Sequence, residues 1–495
     1  MTNEATTTHG RVRGLAEGGL AVFRGIPFAA PPVGARRFAA PEPPSPWDVL
    51  DATTFGPVPP HSPPPGGPVP APASPVTEAD DPRGWLTANV WTPGTAGRRP
   101  VMVWIYGGAY RGGSSADPAY DGAVLAAEGD VVVVTFNHRV GPEGYGQIAG
   151  APANRGLLDQ VAALRWVRDN ARAFGGDPDE VTVFGESAGA GAVAALLAMP
   201  RAAGLFRRAI AQSVPGTYFS ADLAADIMTT IAARLGRPAT VEGLREVAPA
   251  DLVAAGDAVV MREQRERWGV VALTPTPYSP VVDGEVLPTT PWRALREGAS
   301  RDVELIVGHN RDEFRLFLVL GRMLGTVTAE RATSTLEAFA PDAQGYRTAF
   351  PDASDERLFE LVQSDWLFRM PSLHLARDHG GRTFLYELTT AAPGQGGVLG
   401  ACHGLDVPLV FGTRTGVLSG ILLGAEPGAE IAEASAAMRA AWTAFARTGD
   451  PGWDPWDDAD RRTWVIGAPP VVAPYPEAAS AALWADHEFA PLPLL

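Results

Sequence analysis

The chain has 495 residues, 56 Asp and Glu against 40 Lys and Arg, and a formal net charge of −16. It contains no lysine, so every Lys-or-Arg position is arginine, and acidity on this scale argues against nucleic acid and anionic membrane surfaces as partners. The single cysteine, Cys402, excludes an internal disulfide and a cysteine-based zinc site, while an apolar fraction of 46% is ample for a large core.

The N-terminus, Met1 to His9, has neither the basic nor the apolar run of a signal peptide, and no stretch approaches the roughly 18 apolar residues of a membrane span. A cytoplasmic protein without membrane contact is expected. Residues 11–55, with Pro27, Pro31 and Pro32 around Gly25 to Phe38, read as an extended segment rather than a helix. Residues 56–75 are Pro-rich and predict a stiff exposed loop, either a surface excursion or the rim of a binding gorge. Trp85 to Trp91 alternates as a strand does. Val101 to Tyr106 and Val131 to Phe136 are continuous apolar runs, suited to strands covered on both faces of a parallel sheet. Between them the turn Gly107-Gly108-Ala109-Tyr110 is glycine-rich, but it lacks the spacing and the terminal lysine of a phosphate loop.

Val161, Leu164, Val167, Ala171 and Phe174 recur at helical spacing, which predicts a helix from Leu157 to Phe174 closed by Gly175-Gly176. Val181 to Phe184 is a short β-branched run that leads into Gly185-Glu186-Ser187-Ala188-Gly189 and then a small-residue helix, Ala190 to Leu197. Strand, tight turn and helix form the context in which Gly-x-Ser-x-Gly exposes a serine hydroxyl at the end of a central strand. Phe206 to Ser213 reads as the next strand, Val303 to Gly308 as another, and Thr383 to Leu388 as a third. The stretches 220–270 and 320–380 are largely helical and predict a cap inserted between core strands. No internal repeat is present. The order is that of an α/β fold with a mainly parallel sheet.

A serine hydroxyl needs a base within hydrogen-bond reach and an acid to orient that base. Two of the eight histidines stand out: His309 at a strand end, and His403 on a glycine-bearing loop after a strand. The turn Gly308 to Glu313 leaves a strand and ends in two carboxylates, Asp312 and Glu313. Serine, then acid, then His403 is the chain order of α/β-hydrolases.

These motifs together resemble the type-B carboxylesterase family, which includes para-nitrobenzyl esterases, mammalian carboxylesterases and cholinesterases. The resemblance runs from about Val12 to about Ile466. It rests on Gly25 to Phe28, Pro32 to Gly34, Arg37-Phe38, Tyr106 to Ala109, Asn137 to Gly141, Gly156 to Gln160, Ala163 to Val167, Phe174 to Pro178, Phe184 to Gly189, Asn310 with Asp312-Glu313, His403-Gly404, and Ala446 to Pro451. It implies a single α/β-hydrolase catalytic domain over residues 1–495, with helical cap insertions at about 220–300 and 320–380. It implies Ser187 as nucleophile, His403 as general base and Glu313 as the orienting acid. The backbone N–H groups of Gly108, Ala109 and Ala188 would form the oxyanion hole. The Gly-Gly-Ala-Tyr form of that turn resembles esterases that accept bulky alcohols.

By the same resemblance Glu186 lies beside the pocket and stabilises the imidazolium, Ser213 hydrogen-bonds Glu313, and Arg139–Asp159 and Arg37–Glu78 are buried ion pairs. The chain departs from the family pattern at several places. Phe314 follows the acid where glycine is usual, Glu143 replaces an aromatic, His138 replaces a tyrosine, and Trp85 stands in place of a disulfide cysteine. Nothing points to a choline site.

The expected function is a serine carboxylesterase acting on short-chain, aryl or bulky-alcohol esters through an acyl-enzyme, with no metal and no cofactor. Carbamate or anilide hydrolysis by the same triad is the alternative, and a non-catalytic binding protein a remote one. The expected partner is a small-molecule ester, and the chain a monomer or weak homo-oligomer. Trp268, Tyr278, Phe314, Phe317, Trp366, Leu367 and Phe368 fall in or near the cap, as cap core or as walls of an apolar gorge.

Overall fold

The computed structural model describes residues 3–62, 81 and 83–495. An eleven-stranded sheet runs through it. Its strands are β1 (Leu15–Glu17), β2 (Leu20–Pro27), β3 (Thr87–Thr92), β4 (Arg99–Ile105), β5 (Val132–Phe136), β6 (Gly176–Glu186), β7 (Arg208–Gln212), β8 (Glu304–Asn310), β9 (Thr383–Leu388), β10 (Arg462–Ile466) and β11 (Val471–Pro474). Their spatial order is β11-β10-β9-β8-β7-β6-β4-β5-β3-β2-β1. Every pairing from β5 across to β10 is parallel. The outer pairings β1–β2, β2–β3, β3–β5 and β10–β11 are antiparallel.

The continuous apolar runs make sense in this sheet because both faces are covered. In β4, Val101, Val103 and Ile105 join one core cluster and Met102 and Trp104 join the other, all fully buried. The same split divides Val181 and Val183 from Phe184 in β6, and Leu305 and Val307 from Ile306 in β8. Helix α1 (Arg155–Asn170) and helix α2 (Ala188–Ala198) belong to the first cluster, and α3 (Asp406–Phe411) and α4 (Gly428–Thr448) to the second. Every crossover between parallel neighbours therefore delivers the following loop to one edge of the sheet, where the strands' carboxyl ends lie.

The stretches read as largely helical hold helices at Ala221–Arg234 and Pro249–Asp257, and then at Arg315–Leu320, Ala329–Phe339, Asp355–Ser364 and Met370–Asp378. Ser220, Thr328 and Ser354 each accept from a backbone N–H of the first helical turn, which fixes where three of these helices begin. A π-helical turn, Asp365–Arg369, joins the last two.

The predicted strands are all present, within two residues at their starts except β6, which begins at Gly176, five residues before the run read from Val181. The sequence reading did not include the N-terminal sheet of Glu4–Thr7, Gly10–Arg13 and Val49–Asp51, nor β10 and β11, and it read β1 and β2 only as part of an extended segment. All but β2 are short, part-exposed elements whose patterns run over too few residues to stand out, and the buried β2 carries Gly25 and Pro27, which read as irregular chain.

The buried ion pair Arg139–Asp159 is bidentate, with Nε to Oδ2 at 2.8 Å and Nη2 to Oδ1 at 2.7 Å. Arg37 donates to Glu143 from Nε at 3.1 Å and Nη2 at 2.6 Å, so the carboxylate that replaces a family aromatic has a charge to meet. Glu78, the partner expected for Arg37, lies outside the described residues. His138 stacks on Tyr106 with ring centroids 4.4 Å apart, and burial pushes its pKa down to about 3, so it fills an aromatic's place as a neutral ring. Phe314 has φ −76°, right-handed backbone that any residue adopts, so glycine is not needed after the acid here.

Candidate active site

Five loops that carry chemistry leave the same edge of the sheet. Ser187 follows β6, Gly107 follows β4, Ser213 follows β7, Glu313 follows β8, and His403 lies beyond β9. Ser187 has φ 57° and ψ −126°, a strained conformation for a residue with a side chain. The strain is held from both sides. A Cβ on Gly189 would come 2.1 Å from the Ile105 carbonyl oxygen, and one on Gly185 2.7 Å from the Gly189 carbonyl carbon. The Ser187 N–H donates to the Gln212 carbonyl at 2.9 Å, which ties the turn to β7.

The hydroxyl of Ser187 meets His403 Nε2 at 2.8 Å, and His403 Nδ1 meets Glu313 Oε2 at 2.6 Å. The other carboxylate oxygen of Glu313 accepts from Ser213 Oγ at 2.5 Å and from the Asn310 N–H at 2.8 Å. With its carboxylate held at both oxygens, Glu313 holds the imidazole with Nε2 toward serine. His309, the other histidine at a strand end, takes no part in this relay. Its Nε2 meets the Tyr475 hydroxyl at 2.8 Å, and burial pushes its pKa down to about 4.

Glu186 places Oε1 3.2 Å from His403 Nε2 without forming a hydrogen bond, so it acts on the ring as a charge. Burial works against a charged imidazole, but Glu186 and then Glu313 outweigh it, and His403 is raised to about 9. Burial raises Glu186 to about 8, against the pull of His403. The two groups titrate as a pair that keeps a proton well above the range of a free imidazole or carboxyl.

The turn beside the serine carries positive φ at Gly108, Ala109 and Tyr110. A Cβ on Gly108 would come 2.3 Å from the Gly112 carbonyl oxygen, so the turn is closed tightly on itself. Among the described residues, no acceptor takes the N–H of Gly108 or Ala109. Ala188 opens α2, where the first-turn N–H groups have no partner within the helix. Gly108 is exposed and Ala109 half-buried, and a Cβ on Gly107 would come 3.1 Å from the Ser187 Cβ, so the turn stands beside the serine.

Among the cap residues considered for the pocket wall, the structure separates two groups. Trp268, Tyr278 and Trp366 are buried among these helical segments: Trp268 Nε1 donates to Asp226, the Tyr278 ring faces Gly256, and Trp366 packs on Phe339. Phe368 stacks on the His403 ring with centroids 4.1 Å apart, and half-buried Phe317 lies 5.4 Å from it. Phe314 packs on Phe317 and Phe359, and the Leu367 carbonyl accepts from the Gly216 N–H. The contact between Phe368 and the histidine had no sequence signal, because 35 residues and a strand separate them.

The family model for the carboxylesterase family matches residues 1–470. The chain belongs to the carboxylesterase family. As a member it is a carboxylic ester hydrolase with the α/β-hydrolase fold. Among curated family members it is 35% identical to the para-nitrobenzyl esterase of Bacillus subtilis (strain 168), over 96% of this chain and 97% of that one. It is 34% identical to the phenmedipham hydrolase of Pseudarthrobacter oxydans, over 91% of each. Among solved structures it matches a PNB esterase at a TM-score of 0.83 and 34% identity, covering 98% of this chain and 99% of that one. A carboxylesterase of Geobacillus stearothermophilus matches at 0.82 and 33%, covering 97% and 100%. No helix of the described residues is long and apolar enough to cross a membrane.

Proposed function

We propose that Ser187, His403 and Glu313 are the catalytic residues of this carboxylesterase and that it works through an acyl-enzyme. The observation that carries the reading is the unbroken relay from the Ser187 hydroxyl through His403 to Glu313, at 2.8 and 2.6 Å. His403 Nε2 takes the serine proton as Oγ attacks the ester carbonyl, and the imidazolium that forms is stabilised by Glu313 and Glu186. The tetrahedral oxyanion is received by the N–H groups of Gly108, Ala109 and Ala188, which are preorganised where charge develops. His403 returns the proton to the leaving alcohol. Water then repeats the sequence on the acyl-enzyme, with His403 again the base.

In this reading residues 1–495 act as one catalytic domain, and the helical segments at about 220–300 and 320–380 form its cap. The rings of Phe317 and Phe368 beside His403 favour an apolar acyl or aryl group at the reacting centre. The substrate is a small ester.

Initial rates on p-nitrophenyl esters from acetyl to dodecanoyl test the reading, for wild type and Ser187→Ala. Turnover lost by at least about a thousandfold in the variant, with the thermal midpoint retained, is the expected outcome. Wild-type rates in the variant would remove Ser187 from its role. Carbamate or anilide hydrolysis is the second reading, favoured by the likeness to phenmedipham hydrolase. An aryl carbamate in the same assay decides between them: it shares the phenolate leaving group of the ester and differs in the carbamoyl group that Ser187 would carry.

A further inference from the structure

Asp406 lies three residues beyond His403, is fully buried, and touches neither serine nor histidine. Its surroundings are nonetheless specific. Gln212 Nε2 donates to Oδ2 at 2.8 Å and the Tyr386 hydroxyl donates to the same oxygen at 3.0 Å, while Asn310 Nδ2 faces Oδ1 at 3.4 Å. The orientation of both amides is fixed by other partners. The Trp442 indole N–H can only donate, and it gives its proton to Gln212 Oε1 at 3.0 Å, which leaves Nε2 for Asp406. The Cys402 carbonyl can only accept, and it takes Asn310 Nδ2 at 2.8 Å, which turns that amide's donor side toward Asp406. A buried carboxyl that meets only donors is arranged as a carboxylate.

The same partners reach all three members of the relay. The Gln212 carbonyl accepts the N–H of Ser187, and Ser213, next in sequence, bonds Glu313. The Asn310 N–H bonds Glu313 and its side chain holds Cys402, the residue before His403. Asp406 is therefore the point where the serine turn, the acid loop and the histidine loop are fastened to one another. The charged and titratable groups around it are Glu313, Glu186, His403, the Cys402 thiol and Tyr386.

We propose that Asp406 is a positioning residue for this relay: an ionised carboxylate that aligns the loops of Ser187, Glu313 and His403 through Gln212 and Asn310, and whose charge favours the imidazolium formed during catalysis. The proposal rests on the triad reading above. Burial, with Glu313 beside it, raises the Asp406 carboxyl on balance, against the Gln212 amide, His403 and the Tyr386 hydroxyl, so it is the donors facing it that favour the carboxylate. Asp406 in turn contributes to the raised pKa of His403.

The test is the pH dependence of kcat and KM for wild type, Asp406→Asn, Tyr386→Phe and Ser187→Ala on one p-nitrophenyl ester. Asparagine keeps the shape and removes the charge. Its kcat is expected to fall by about tenfold with KM within about twofold, because alignment and imidazolium stabilisation act on the transition state. Losing a negative charge makes His403 less basic, so the acid limb of kcat/KM moves to lower pH, by about half a unit or more. A merely structural aspartate would lower the melting midpoint and leave the limb in place. Wild-type kcat with an unmoved limb overturns the proposal. If Asp406→Asn does not fold, Tyr386→Phe decides: a two- to threefold loss of kcat, roughly, with the limb shifted the same way supports the proposal, and no change in either overturns it. Activity retained by Ser187→Ala would instead overturn the triad reading, which separates the two failures.

Discussion

At the scale of single residues, the site works by crowding charge around one imidazole. His403 has Glu313 at Nδ1 and Glu186 near Nε2, and both lie in protein rather than water. A base raised to about 9 carries its proton at neutral pH and must lose it before it can accept one from serine. Esterase activity is therefore expected to climb with pH well past the 6.5 of a free imidazole, through the range of about 8 to 9 where Glu186 and His403 titrate. Glu186→Gln removes the largest influence that raises His403. A negative charge favours the protonated ring, so its loss lowers the pKa, and the acid limb of kcat/KM moves to lower pH. A pH–rate profile of the variant measures this directly. An unmoved limb would mean that Glu313 alone sets the basicity.

At the scale of elements, the relay depends on strands ending together and on loops that cannot relax. The turn after β5 is held by Arg139, whose bidentate pair with Asp159 on α1 is shielded from water on both sides. Removing one member of such a pair leaves an uncompensated charge, and Asp159→Asn is expected to cost about 3–5 kcal/mol of stability. Urea denaturation followed by tryptophan fluorescence would read that loss, and a change below about 1 kcal/mol would show that Arg139 finds another partner.

Local chemistry of this kind also explains which parts of the structure were readable from sequence. The strands β4, β5, β6 and β8 were legible because a face-covered parallel strand must be apolar at every position. The elbow was legible because only glycine fits where Gly185 and Gly189 meet neighbouring backbone. The choice between His403 and His309 was not legible from spacing; it came from chain order, in which His309 precedes the acid, and from the family resemblance. Nor was the pair Arg37–Glu143, because partners 106 residues apart leave no local pattern. Asp406 gave one faint signal, an acid in the first turn of a short apolar helix, which also reads as an ordinary helix start.

At the scale of the whole molecule, the last twenty or so residues cross back over much that precedes them. The Tyr475 hydroxyl meets His309 on β8, and Glu477 meets Arg369 in the π-helical turn at 2.7 Å. Trp484 donates to the Tyr346 hydroxyl, Phe489 packs on Trp292, and Leu492 exchanges backbone hydrogen bonds with Tyr218 and Ser220. Arg369 also donates to the carbonyl of Arg311, two residues before Glu313, and its neighbour Phe368 is the ring that lies on His403. The helical segments and the sheet share these contacts, so loss of activity and loss of far-UV circular dichroism are expected to coincide on heating. A chain ended after Pro474 is expected to yield no soluble active enzyme. An active truncated chain, or activity lost well before the helical signal, would show that the segment is dispensable.

The route of that segment has a consequence for the order in which the protein comes into being. Ser187 and its turn leave the ribosome long before residues 475–495 do, and a chain still being made therefore carries the proposed nucleophile without the fastening beneath the acid loop. Hydrolytic competence is therefore expected to wait for residues 475–495, and a message cut short before them to make an inert chain rather than a poorly controlled esterase.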